Sequence, residues 1–512
     1  MRNARAYPPR LSFSRFMRRF ARSNSGNVAV IFGIVLIPLL TAIGGAIDLS
    51  RAMLAEQRLA SALDATALAV GANETMSEQE LQVLAQDFFN ANYPEDLIGT
   101  PGPITLSIDD GVVDISGTTH LDTTLLKLID INYINVAAET QVMRASKTLE
   151  VAMVLDNTGS MGRSGKLGAL KSATQIFVNT LFAGEETHPK LKIGLVPFSQ
   201  AVNVGTDKAG EFWIDSNAQS SIHGENFDDD GAGNPVNIFN LYDDLTDKDW
   251  NGCVETRPEP LDELDTEPSL ANGDSLWVPY FYPDEPGSRG NASSSYANSY
   301  LDDDVPGGTS YEDRQKNWSK FAGGNAHRDG PHWGCEVAPI TPLTNHKSTL
   351  NSAVSRFIAR GYTHIPVGLA WGWRVVSPEE PFTEGTAYED TDTEKAIVLL
   401  TDGYNTLQRQ YTHNESYYSA YGYVNEGRLG TTNYNNAVSQ LDPKTSTICE
   451  NIKDAGIRLY TITFQLEDGP IKDLMRSCAS STSLYYDSPS NSELQSVFEA
   501  IAKDLANLRI TK

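Results

Sequence analysis

"VAMVLDNTGSMGRSGK", residues 151–166, decides how the chain is read. Its first half is an apolar run that reads as a strand buried on both faces of a sheet. The run stops at Asp156. Two hydroxyls follow at Thr158 and Ser160, among the glycines Gly159, Gly162 and Gly165. Beyond the turn, "KLGALKSATQIFVNTLF" (166–182) has the apolar spacing of an amphipathic helix, and "LKIGLVPFS" (191–199) is a second buried strand. The alternation returns after residue 340. "KSTLNSAVSRFIA" (347–359) is a helix, "RGYTHIPVGLAWGWRVV" (360–376) a loop leading into a helix, and "EKAIVLLTDG" (394–403) a buried strand. "TSTICENIKDAG" (445–456) is a helix, "IRLYTITFQ" (457–465) a strand, "IKDLMRSCA" (471–479) a short helix and "LYYD" (484–487) a short strand. "NSELQSVFEAIAKDLANL" (491–508) closes the chain as a helix capped by Asn491 or Ser492. Such alternation predicts an α/β domain with a doubly wound, mostly parallel sheet and helices on both faces. Ligands of these sheets bind outside the carboxyl ends of the strands, where Asp156 and Asp402 are both placed.

Several chemistries compete for the turn. A phosphate loop needs Gly, four residues, then Gly-Lys-Ser/Thr. Gly165 and Lys166 are present, but Ser160 replaces the first glycine and Leu167 the hydroxyl. A dehalogenase-type aspartyl nucleophile wants a carboxylate at position 158, and a nucleophile elbow a glycine there; the residue is Thr158. No His-Glu-x-x-His motif occurs. His327, His332 and Cys335 are conceivable zinc ligands, disfavoured because an oxidising compartment turns cysteine pairs into cystine. The blandest reading is an Asx-type turn that caps the next helix. Asp-x-Thr-x-Ser nevertheless presents one carboxylate and two hydroxyls from a single surface turn, and hard oxygen donors of this kind suit Mg²⁺ or Mn²⁺.

With "GYTHIPVGLAWGW" and "LLTDG" added, the pattern resembles the von Willebrand factor A (VWA) domain family and its metal-ion-dependent adhesion site. The resemblance implies a VWA-like fold in which Asp156, Thr158, Ser160, Thr363 and Asp402 hold the metal directly or through water. A carboxylate from a protein partner then completes the coordination. No family pattern accounts for residues 200–340, which are rich in Asn, Asp, Gly, Ser, Pro and Tyr. We read them as a large folded insertion. Within it, "FDDDGAGN" (227–234) concentrates acids as Ca²⁺ loops do but lacks the terminal glutamate of an EF-hand. A solvated acidic loop is the first expectation there, and a Ca²⁺ site the second.

The N-terminal part has a different character. Residues 1–27 hold seven arginines and no acid, although the whole chain carries 40 basic and 66 acidic residues for a net charge of −26. So acidic a body repels nucleic-acid phosphates, and no nucleic-acid partner is expected. From Val28 to Ile47 no residue is charged, which is about the length of a membrane-spanning helix. The run exceeds the apolar core of a cleavable signal peptide. The arginine excess places the N-terminus in the cytoplasm and everything after Asp48 outside it. "RAMLAEQRLASALDATALAVGA" (51–72) continues the helix, "SEQELQVLAQDFFNANYP" (77–94) is a second helix, and "ITLSIDDGVVDISGTTHL" (104–121) reads as a hairpin followed by the strand "YINVAAETQVMRA" (133–145).

Residues 25–69 resemble the start of TadG-like proteins of bacterial tight-adherence (Tad/Flp) pilus systems. Gly26 sits at the position of prepilin cleavage, but Ile31 stands where true pilins have Glu. The resulting division is an Arg-rich cytoplasmic tail (1–27), a single transmembrane helix (28–47), a pilin-like helix with a small α+β region (48–147) and a VWA domain (148–512) with its insertion at about 200–340. The resemblance implies a non-enzymatic inner-membrane protein that assists pilus assembly or anchoring by metal-dependent binding of pilus assembly components. A cell-surface adhesin or matrix-binding receptor is the alternative. Four cysteines in an exported region point to disulfides, with three possible connectivities. Cys449 opens a helix and Cys478 ends one on either side of a strand, so we pair them, and Cys253 with Cys335 across the insertion.

Overall fold

The computed structural model describes residues 26–508 apart from 74, 75, 77, 95–97, 110–111, 144–146, 289–290, 293–294, 304–307 and 468. The Arg-rich tail, except for its last two residues, and the Asp110–Gly111 hairpin turn lie outside the described residues. The chain forms two compact units, Met1–Arg144 and Ala145–Lys512.

The first unit begins with one helix, α1 (Gly26–Gly71). Large apolar side chains from Val28 to Ile47 are exposed, whereas from Ala52 onward one seam is buried, with Ala55, Leu59, Leu63 and Ala67 fully enclosed. The change follows the sequence, which is apolar all round at first and then keeps small and aliphatic residues on one side only. Among the described residues α1 is the one helix long and apolar enough to cross a membrane. Its buried seam packs with α2 (Glu78–Asn92) and an antiparallel sheet of β1 (Thr105–Asp109), β2 (Val112–Asp122) and β3 (Tyr133–Met143), with β2 in the middle.

The second unit is built on a six-stranded sheet. Its strands are β4 (Thr148–Asp156), β5 (Leu191–Phe198), β6 (Thr341–Thr344), β7 (Thr393–Thr401), β8 (Arg458–Phe464) and β9 (Tyr485–Ser488), in the order β6-β5-β4-β7-β8-β9. All neighbours are parallel except β6, which runs antiparallel to β5. Side chains of β4 alternate between two cores. Leu149, Val151, Met153 and Leu155 meet α3 (Lys166–Leu181), α4 (Lys347–Ser355) and α8 (Asn491–Leu508). Ala152 and Val154 belong to the core of α5 (Ile365–Val376), α6 (Tyr434–Asp454) and α7 (Pro470–Cys478). Two glycines let α5 lie close on the sheet: a Cβ at Gly368 would collide with the Phe198 ring, and one at Gly372 with Val154.

Two boundaries differ from expectation. Helix α6 starts at Tyr434, so Cys449 lies toward its end, not at its opening. Its Asn-rich start and internal Pro443 disguise it, because Asn and Pro are poor helix formers. The closing helix is capped by neither Asn491 nor Ser492: Glu493 N–H donates to Ser490 Oγ at 3.3 Å. The structure pairs Cys253 with Cys335 and Cys449 with Cys478.

Residues 199–340 contribute to the same core. Trp213 and Trp277 meet edge to face at 5.8 Å, and Trp277 lies 5.1 Å from Trp371 of α5. A buried ionic knot joins this segment to residues 403–433. Glu225 and Glu255 pair with the single guanidinium of Arg428 at 3.5 and 2.6 Å, Glu426 lies within reach of the same charges, and Tyr418 donates to Glu255. One cation cannot balance three acids. Burial pushes the Glu255 carboxyl up to about 7, against the attraction of Arg428. The folded chain then holds this proton through a range where the unfolded chain has released it, so stability falls as pH rises from about 4.5 to about 7. The Glu255 contribution is about 3 kcal/mol at 1.36 kcal/mol per unit. Urea midpoints between pH 5 and pH 8 should decline, with a flatter profile for Glu255→Gln; an unchanged slope would show that Glu255 stays ionised.

Candidate metal centre

The connection from β4 through α3 goes to β5 on one side, and the chain later returns to place β7 on the other. Strand order therefore reverses between β4 and β7, and the crevice beyond their carboxyl ends is where such sheets bind ligands. Asp156 ends β4, and Asp402 follows directly on β7, whose Leu400 is in register with Leu155. The third segment, residues 360–363, is laced to the first through its backbone. Gly159 N–H donates to Gly361 O at 3.0 Å and Arg360 N–H to Asn157 O at 2.8 Å.

All five expected residues meet here. Thr158 Oγ1 lies 2.9 Å from Ser160 Oγ, and Ser160 Oγ donates to Asp402 Oδ1 at 2.5 Å. Thr363 Oγ1 donates to Thr158 Oγ1 at 3.3 Å. Asp156 is held from behind: Oδ1 accepts Thr158 N–H at 2.9 Å, while Oδ2 accepts the Thr401 hydroxyl at 2.8 Å and Asp402 N–H at 3.3 Å. The turn is not the open surface loop expected from its glycines and polar residues. Asp156, Thr158, Thr363 and Asp402 are all buried, and Ser160 is half-buried.

Charge sets the character of the site. The Lys166 ammonium, from the first turn of α3, pairs with Asp402 Oδ2 at 2.8 Å. Two ionised carboxylates against one ammonium leave an excess negative charge in a largely dry crevice. Burial first, and then the charge of Asp402, push the Asp156 carboxyl up to about 6. A donor set of two carboxylates and three hydroxyls, all hard oxygens with excess negative charge, fits Mg²⁺ or Mn²⁺. It contains no soft ligand. Among the described residues no group of three or more His, Cys, Asp or Glu side chains is arranged to hold a metal.

Three contributors were not expected from the sequence. Lys166 suggests by sequence only a phosphate-loop lysine, yet its ammonium is the counter-ion of Asp402. Thr401 looked like one more strand residue, yet its hydroxyl orients Asp156. Asn405, three residues past Asp402, accepts Ile365 N–H at 2.9 Å and donates to Asp442 at 2.8 Å, fixing the start of α5 two residues after Thr363. The zinc candidates do not form a site: Cys335 is in a disulfide, and His332 Nε2 is bonded to the Asp249 carbonyl at 2.8 Å. In "FDDDGAGN" Asp229 and Asp230 accept the backbone N–H groups of Gly231 and Ala232, both at 2.8 Å, so these carboxylates fold their own loop.

Among solved structures the chain resembles the pilus adhesin SpaC of Lactobacillus rhamnosus GG in its open conformation. Identity is 13%, with 79% of this chain and 33% of that chain covered and a TM-score of 0.32. The vWF domain of the type V pili tip protein Mfa5 of Porphyromonas gingivalis matches at 11% identity, over 72% of this chain and 97% of that one, with a TM-score of 0.34. Proximal thread matrix protein 1 of the mussel byssus, solved with a zinc-occupied MIDAS motif, matches at 10% identity over 71% and 47% of the two chains, with a TM-score of 0.29. The chain thus spans about a third of the length of SpaC. No curated protein sequence matches it. One family model does match, described as "Putative Flp pilus-assembly TadE/G-like", over residues 26–73, which is α1 and the two residues beyond it. The likeness to that family is confined to residues 26–73.

Proposed function

We propose that the chain is a non-enzymatic, membrane-anchored protein that assists assembly or anchoring of a Tad/Flp-type pilus through metal-dependent protein binding. In this reading residues 28–47 of α1 span the bacterial inner membrane. Residues 1–27 lie in the cytoplasm, 48–147 form the pilin-like helix and small α+β region, and 148–512 form a doubly wound VWA-like domain with an insertion at about 200–340 in the periplasm. The observation that carries the reading is the meeting of Asp156, Thr158, Ser160, Thr363 and Asp402 at the switch point of the sheet, from three segments far apart in sequence. An Asx turn accounts for the first segment alone. With Mg²⁺ bound, a site offering so few anionic ligands leaves the ion electrophilic enough to take a carboxylate from a partner. The chain's own residues do the rest. Asp156 supplies charge from a fixed position, the three hydroxyls supply neutral oxygens, and Asn405 and Gly361 hold the Thr363 segment in place.

Lys166 gives the reading a direct test. Its ammonium competes with a divalent ion for Asp402, so Lys166→Met should tighten Mn²⁺ binding to the full chain by about tenfold, equivalent to ~1.4 kcal/mol. Calorimetric titration of the protein in detergent checks this. Absence of saturable Mn²⁺ or Mg²⁺ binding in both wild type and variant would exclude a metal role.

A further inference from the structure

We infer that the loop Leu126–Ile131 of the first unit is a second, interfacial contact with the phospholipid bilayer, lying in the outer leaflet beside α1. The inference rests on the reading of α1 as a membrane span. Four large apolar or aromatic residues crowd this loop and the strand start after it, and all are exposed: Leu128 at 69%, Ile129 at 45%, Ile131 at 43% and Tyr133 at 54%. Single exposed apolar residues are ordinary; a cluster on one short loop marks a contact surface.

The place of the loop on α1 selects the occupant. A Cβ at Gly44 would collide with Leu125, and one at Gly45 would touch Leu126 at 3.6 Å. The loop therefore reaches back to Gly44, three residues inside the uncharged run that ends at Ile47. At 1.5 Å per residue this is about 5 Å below the end of the span, within the depth at which interfacial segments bury their apolar side. Ile43 and Ile47 of α1, on either side in sequence of the glycines that the segment touches, are exposed as well. The attachment is built for that depth. Asp48, the first charged residue after the span, accepts the backbone N–H groups of Thr124, Leu125 and Leu126, each at 2.9 Å. Arg51, one turn further on, donates to Thr124 Oγ1 at 2.6 Å. Asp48 and Arg51 thus tie the segment to α1 at the first charged residues after the uncharged run, and Tyr133 just beyond the loop is of the type enriched at membrane interfaces. A loop pinned at this level also fixes the rotation and tilt of α1, which a lone helix leaves free.

All four native cysteines are in disulfides, so an introduced cysteine is the only free thiol. The experiment places an environment-sensitive nitrobenzoxadiazole label on Leu128→Cys, Ile131→Cys, Ile37→Cys and Gln82→Cys of the full chain, in vesicles of phosphatidylcholine and phosphatidylglycerol. Lipids carry a doxyl quencher either near the headgroup or at mid-chain. Labels at 128 and 131 should be quenched about twofold or more by the headgroup-proximal quencher and less by the mid-chain one, as expected for shallow insertion. The label at 37 should show the opposite order, and that at 82 neither. Quenching at 37 without quenching at 128 and 131 overturns the interfacial loop while leaving the span intact. No quenching at 37 overturns the span itself. A blue-shifted but unquenched label at 128 means that protein covers the loop, and also overturns the proposal.

Discussion

Replacing Asp402 by asparagine is expected to abolish stabilisation of the folded chain by Mg²⁺ or Mn²⁺. Wild-type protein should gain about 2.7 kcal/mol at a metal concentration one hundred times the dissociation constant, and the variant nothing. Asparagine keeps the volume of the side chain and can still accept the Ser160 hydrogen bond, so the metal-free fold should survive. Asp156→Ala is a harsher test than a surface turn would make it. Asp156 is fully buried and accepts from Thr158 N–H, the Thr401 hydroxyl and Asp402 N–H. Its removal strands those donors at about 1–3 kcal/mol each, partly offset by relief of a buried like-charge pair. Thr158→Ser should keep the metal effect and Thr158→Val should lose it, because in the proposed site the hydroxyl alone serves as the ligand. Melting temperatures with and without metal, compared with chelator, decide the matter. An Asp402→Asn chain that still gains stability from metal would place the ion elsewhere.

Removing the Cys253–Cys335 disulfide, by a double Ala substitution, is expected to cost about 4 kcal/mol in the chain-entropy model. Removing Cys449–Cys478 should cost less. The sequence separations are 82 and 29 residues, so the first crosslink withdraws more freedom from the unfolded chain. The first loss should also expose residues 199–340 to protease before the rest of the second unit opens, because that crosslink ties the segment to itself next to β5. Denaturant midpoints and limited proteolysis read both effects. A larger cost for the shorter loop would mean that native packing around Cys449 and Cys478, and not chain entropy, sets the value.

Pattern alone made the alternating strands and helices legible, since a strand buried on both faces must be apolar throughout. Thr148–Asp156 and Thr393–Thr401 are such strands. It also singled out the Asp156–Ser160 turn at the end of such a strand, whereas the Thr363 and Asp402 segments were joined to it only by the resemblance to VWA domains. The long apolar run was equally plain, because no charge interrupts Val28 to Ile47. Local signals were weaker at helix ends. Polar Asn residues conceal the start of α6, and Ser490 caps α8 because a hydroxyl one residue earlier reached the free N–H.

Tertiary structure alone decided matters that depend on which segments become neighbours. Lys166 is seventeen residues into the domain by sequence count from Leu149, yet it is a counter-ion because α3 begins beside Asp402. Thr401 and Asn405 gain their roles only when β4 lies against β7 and α5 against α6. Burial of Asp156 likewise comes from the crossing of three loops, not from its own turn. The ordering of residues 199–340 around Trp213, Trp277 and Trp371 shows the same limit. Their polar, aromatic composition has no period, and they are buried by one another, as in the Phe227–Phe281–Phe321 cluster, and against α5 through Trp277 and Trp371. Periodicity records which face of an element meets the core, and so it survives in the sequence. The identity of the neighbour across that core, which sets charge pairing and dryness, is a property of the folded chain.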